Sequence, residues 1–88
     1  MHWYKIVCKE CHQGAGNRQT QELYAFSPDV IGAIKKYRHT GGVPHNRIPE
    51  IRPLNEEESS FLEGKLIEAG RNLGKTKSKR SALKIDLQ

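Results

Sequence analysis

Cys8-Lys9-Glu10-Cys11-His12 is the tightest grouping of metal- and redox-competent side chains in the sequence. Two thiolates at this spacing can bind one tetrahedral ion, with His12, His39 or His45 completing the ligand set. A structural zinc would also support a core as thin as this composition allows. The letters fit the C-x-x-C-H of c-type haem attachment too. That chemistry belongs to exported chains, and the start Met1-His2-Trp3-Tyr4-Lys5 lacks a basic region followed by a long apolar run. A thioredoxin-like site needs the cysteine pair to open a helix, whereas a glycine-rich stretch follows here. One C-x-x-C without a second is a general pattern, so the plainer reading outweighs the metal. In that reading Cys8 packs as a small apolar residue on a strand, and Cys11 sits free near a loop. Both are expected to be reduced in a cytoplasmic chain. No cofactor is therefore assigned, and zinc on Cys8, Cys11 and His12 is the lesser reading.

Phosphate chemistry has three candidate places. Gly14-Ala15-Gly16-Asn17-Arg18 joins glycines to a cation, but no helix and no Gly-Lys-Ser/Thr follows it. It reads as a hairpin loop in which Arg18 and backbone N–H groups could meet a phosphate. Lys35, Lys36, Arg38, His39 and Arg47 form a basic stretch around Gly41-Gly42. Such a cluster can grip phosphates while Tyr37 or His39 stacks on an unpaired base. Its plainer reading is a solvated helix end whose cations complement the dipole. Lys75, Lys77, Lys79 and Arg80 place four cations in six residues, spaced by Thr and Ser. They would be drawn to nucleic-acid phosphates or another acidic surface; the plainer reading is a solubilising tail. No set of nucleophile, base and orienting group emerges, so the chain is not expected to be an enzyme. Glu56, Glu57 and Glu58 suit the start of a helix better than an acid/base pair.

The charge distribution sharpens this. The net charge of +5 is uneven: residues 1–70 hold nine Lys/Arg and nine Asp/Glu, and residues 71–88 hold six and one. The basicity thus belongs to the C-terminal end. With 88 residues, 35% hydrophobic content and a mean hydropathy of −0.75, one domain with a thin core is expected. A deep enclosed cavity would consume much of such a core. No stretch approaches the roughly 18 apolar residues of a membrane span, and the expected location is cytoplasmic.

These side chains need elements to carry them. His2 to Glu10 reads as a strand, with Tyr4, Ile6 and Cys8 on one face and Trp3 and Val7 on the other. Gln19 to Phe26 reads as a second, with Leu23 and Ala25 opposite to Tyr24 and Phe26. The short connection favours an antiparallel hairpin. Ser27 as N-cap, Pro28 at the first helical position and Asp29 at the dipole predict a helix start. Val30, Ile31, Ala33, Ile34 and Tyr37 continue it to Gly41-Gly42. Over His45 to Leu54, Pro49 and Pro53, with Pro44 just before, confine any strand to an edge. Asn55 and Glu58 have capping-box spacing, and Phe61, Leu62, Leu66, Ala69 and Leu73 make one apolar face. From Lys75 the chain reads as disordered when alone, although Ala82 to Leu87 alternates and could pair as a strand.

The expected fold is therefore a small α+β domain in the order strand–strand–helix–strand–helix. Its largely antiparallel three-stranded sheet is packed by helices over residues 1–74, followed by a flexible basic tail over residues 75–88. The order of elements across residues 3–54, and the Leu-Tyr-Ala-Phe-Ser-Pro junction between strand and helix, resemble small ribosomal RNA-binding domains such as the archaeal large-subunit protein LX. The resemblance implies the fold and, by analogy alone, contact with RNA. The leading expectation is a non-catalytic module contacting nucleic acid, RNA ahead of DNA, or a ribonucleoprotein. The alternative is a protein-interaction module, such as a small regulator, inhibitor or subunit of a nucleic-acid-processing complex, using an edge strand, the alternating tail and Trp3, Tyr4 and Tyr24.

Overall fold

In the computed structural model, structure is described for residues 1–12, 18–44 and 48–85, and side chains for those residues other than 10–12, 18 and 19. Two long strands form the centre: β1 (His2–His12) and β2 (Arg18–Ser27), paired antiparallel. Their alternation follows from burial on both faces. Tyr4, Ile6, Cys8, Leu23 and Ala25 point into one apolar cluster, and Trp3, Tyr24 and Phe26 into another. Helix α1 (Val30–Arg38) covers the first face with Ala33 and Tyr37. Helix α2 (Glu56–Glu68) covers the second with Leu62 and Leu66. The α+β class is as expected, with a helix on each face of the sheet.

The helix starts differ in how they compare with the sequence. Asn55 caps α2 as the pattern predicts: its side chain accepts from Glu58 N–H at 2.8 Å, and Glu58 accepts from Asn55 N–H at 3.2 Å. For α1 the cap is Asp29, whose carboxylate accepts from Gly32 N–H at 2.8 Å. Ser27 instead prolongs β2, pairs with His2, and donates its buried hydroxyl to the Asp29 carbonyl at 2.8 Å. Both residues are good caps, and strand pairing decides between them. A Cβ at Gly32 would collide with the Ser27 hydroxyl, so glycine lets the helix close on the strand end. At the far end Gly42 takes a φ of 83°, the left-handed conformation that turns the chain out of the helix region.

The third strand, β3 (Glu50–Pro53), is the edge strand the prolines demand, antiparallel to Tyr4–Val7 of β1. On the other side of the hairpin the expectation of a flexible tail fails. Residues 73–78 form α3 (Leu73–Ser78), and residues 83–84 form β4 (Leu83–Lys84), antiparallel to Leu23 and Tyr24 of β2. The sheet is therefore four-stranded in the order β3-β1-β2-β4, not three-stranded, and a boundary at residue 74 would cut through α3.

The ordering of this segment has identifiable causes. Asn72 caps α3, accepting from Lys75 N–H at 3.0 Å. Leu73 packs against the second cluster, and Ala82 and Leu83 send their side chains to opposite faces of the sheet. Ala82 N–H donates to the Thr40 hydroxyl at 2.8 Å and to the Lys36 carbonyl at 3.2 Å. Gly74 lies inside α3 and stops nothing; Gly70, with a φ of 76°, breaks the chain between α2 and α3. No described helix is long and apolar enough to cross a membrane.

Candidate nucleic-acid interface

The two basic stretches, far apart in sequence, meet in space. On α1, Lys35, Arg38 and His39 are spaced i, i+3, i+4, on the helix face opposite buried Ala33 and Tyr37, and all three are exposed. Alongside runs the segment joining α3 to β4, held to Lys36 and Thr40 by the bonds of Ala82 N–H. Lys75, Lys79 and Arg80 are exposed on α3 and this connection. Lys84 reaches back to the α1 end, donating to the Gly41 carbonyl at 2.9 Å. Docking of the C-terminal segment thus joins the end of α1 to the α3–β4 connection.

Two of the candidate cations are occupied inside the molecule. Lys36 is half-buried and donates to the carbonyls of Phe26 at 2.5 Å and Lys77 at 2.8 Å. It ties the end of β2 to α1 and satisfies a carbonyl in the last turn of α3. Burial pulls its ammonium below the ordinary lysine range. Lys77 lies 3.2 Å from Glu63 and 4.7 Å over the Phe26 ring. Glu63 also accepts from Trp3 Nε1 at 2.9 Å. The indole bond first, then Lys77, holds this carboxyl below its ordinary range despite partial burial.

Elsewhere the cations are neutralised. On the sheet face away from α1, Lys5 pairs with Glu22 at 3.2 Å, Lys9 with Glu50 at 3.3 Å and Arg52 with Glu58 at 2.6 Å. The Arg52 hydrogen bonds, with Asn55 N–H, hold the Glu58 carboxyl at about 2. On α2, Lys65 faces Glu68 at 3.5 Å. By contrast, Lys35, Arg38, Arg71, Lys75, Lys79, Arg80 and Lys84 have no carboxylate at ion-pair distance among the described residues. Cations at the C-terminal ends of α1 and α3 also face the negative pole of each helix.

Arg47, His45 and the loop Gly14–Asn17 lie outside the described residues, as do the side chains of Arg18, Cys11 and His12. Cys8 is buried on β1 and disulfide-bonded, so the expectation of a reduced thiol there is not met. A β-bulge lies just beyond it: Cys8 faces Gln21 while Cys11 faces Gln19, so β1 carries one extra residue and its alternation shifts by one. The Tyr37 hydroxyl donates to Cys8 Sγ at 3.6 Å. Among the described residues no three His, Cys, Asp or Glu side chains gather as an ion would need. Trp3, Tyr4, Tyr24 and Tyr37 are buried and offer no stacking or docking surface.

The remaining hollows are open grooves. One of about 460 Å³ lies between α2 and the sheet, lined by Lys5, Tyr24, Leu54, Glu57, Glu58 and Phe61. The Tyr24 phenol there is pushed up to about 12 by burial and by nearby Glu22, which leaves it protonated and unfit as a base at neutral pH. Comparison with protein-family models, curated proteins and solved structures finds no match to this chain.

Proposed function

We propose that the protein is a small, non-catalytic nucleic-acid-binding module that holds phosphates on α1 and the α3–β4 segment. The observation that carries this reading is the segregation of charge. Cations on the sheet face and α2 are matched by carboxylates, while seven cations around α1, α3 and β4 have none among the described residues. Unmatched like charges on a folded surface repel one another; a phosphate backbone neutralises them, and the counterions it releases favour binding. Lys35, Arg38, His39, Lys75, Lys79 and Arg80 are the contact residues, with Arg71 and Lys84 beside them.

The protein-interaction alternative relied on the tail strand and on Trp3, Tyr4 and Tyr24. The strand is used at home against β2, and the three aromatics are core. A regulator or subunit of a nucleic-acid-processing complex would therefore have to work through other surfaces. Equilibrium binding of the full chain to RNA and DNA, followed across a salt series, tests the reading. Affinity at low salt that falls steeply as salt rises is expected; absence of binding at low salt would overturn it.

A further inference from the structure

We propose that Cys8 and Cys11 form a reversible thiol–disulfide pair that sets the strand register at the far end of the β1–β2 hairpin. This goes beyond the nucleic-acid reading and does not depend on it. The chain has two cysteines, and Cys8 is disulfide-bonded, so within the chain its partner is Cys11. In a regular strand, positions three apart lie on opposite faces and about 10 Å from each other. A disulfide spans no more than roughly 7 Å between Cα atoms. The bulge removes that obstacle. Cys8 is opposite Gln21 and Cys11 is opposite Gln19. These glutamines are two apart on β2, so positions 8 and 11 share a face. The bond therefore requires the bulge, and the bulge leaves one residue of β1 out of the ladder.

The surroundings of Cys8 suit a thiol as well as a disulfide. Its pairing with Gln21 lies before the bulge and is common to both registers. Gln21 Oε1 is buried and has no hydrogen-bond partner among the described residues. A disulfide sulfur has no proton to give it, whereas a thiol does. Without the bond, regular pairing of Lys9 with Thr20, Glu10 with Gln19 and Cys11 with Arg18 returns the extra residue to the ladder. Each state thus holds something the other lacks: the bulged one a covalent bond, the regular one a complete ladder and a donor for Gln21. A dithiol reductant interconverts them. Its thiolate attacks one sulfur, the other leaves as thiolate, and the second thiol of the reductant resolves the mixed disulfide. Two electrons and two protons pass to the cysteine pair, and the reductant becomes a cyclic disulfide. Cys8 is 1% exposed and is the sulfur that leaves. The Tyr37 hydroxyl, 3.6 Å away, donates to it and stabilises the thiolate.

The test treats the folded full chain with oxidised and then with reduced dithiothreitol, and counts thiols by alkylation after unfolding. No alkyl group is expected on the oxidised chain and two on the reduced one. Nuclear magnetic resonance on the folded chain is expected to place residue 11 opposite Gln19 when oxidised and opposite Arg18 when reduced. The Cys8–Gln21 pairing is expected in both. The C11S variant, which leaves the buried Cys8 in place, is expected to show the reduced register without reductant. Two alkyl groups on the oxidised chain, or none on the reduced one, would overturn the reversible pair. Residue 11 remaining opposite Gln19 in the reduced chain and in C11S would overturn its control of register.

Discussion

Lys35 and Lys36 are adjacent, carry the same charge, and do different work. Lys36 gives its ammonium to the Phe26 and Lys77 carbonyls, while Lys35 stands exposed without a carboxylate. Replacing Lys36 by Met leaves two carbonyls short of a donor, which costs about 1–3 kcal/mol; urea unfolding is expected to show that loss. The K35Q variant is expected to stay within about 0.5 kcal/mol of wild type, as exposed substitutions do, and to lose nucleic-acid affinity instead. Glu63 is the other residue on which several contacts converge, joining Trp3 of the sheet to Lys77 of α3. The E63Q variant is expected to lose up to about 1.5–3 kcal/mol by the same unfolding measurement, the worth of a hydrogen bond to a charged group. Acid does the same to the wild type. The folded carboxyls of Glu63 and Glu58 lie below the ordinary 4.5, Glu58 at about 2. Their stabilisation is complete above the ordinary carboxylate range and fades as pH falls through the folded values. A melting series from neutral to acid pH is expected to show a decline beginning near pH 4.5.

At the scale of elements, legibility in the sequence tracked how locally each element is specified. The period-two pattern of Trp3–Cys8 and Leu23–Phe26 is plain because both faces of those strands meet apolar layers. The Asn55–Glu58 box is legible because its partners lie three residues apart. The start of α1 is off by two residues because Ser27 and Asp29 are equally good caps and only pairing with His2 separates them. The C-terminal segment is the largest miss. Lys, Thr and Ser dominate residues 75–81, and the groups that order them are Lys36 and Thr40, some forty positions earlier. Composition reports what a segment offers, and here the docking groups belong to another element. If β4 is part of the core, Leu83→Ala costs about 2–5 kcal/mol, as for other buried leucines. Chemical unfolding with intrinsic Trp3 fluorescence checks this; a variant as stable as wild type would restore the flexible tail.

Across the whole molecule, sequence reasoning located the cations but could not tell which are matched. Lys77 lies within the basic run and is spent on Glu63 and Phe26; Lys5 and Lys9 find carboxylates across strands, and Arg52 finds Glu58 of α2. Pairing depends on strand register and on the layer each helix covers, and neither is visible in a string of residues. The excess charge of the C-terminal end is therefore a property of a folded surface, held against α1 by Lys36, Thr40 and β4. The most direct measurement compares two double variants of equal net charge for binding to duplex RNA over a salt series. K79Q/R80Q removes two unmatched cations, and K9Q/K65Q removes two that face Glu50 and Glu68. The first is expected to bind at least about tenfold more weakly, with a salt slope shallower by about 0.9 for each phosphate no longer neutralised. The second is expected to bind like wild type. Equal weakening in both, or none in either, would contradict the segregation of charge as the basis of binding.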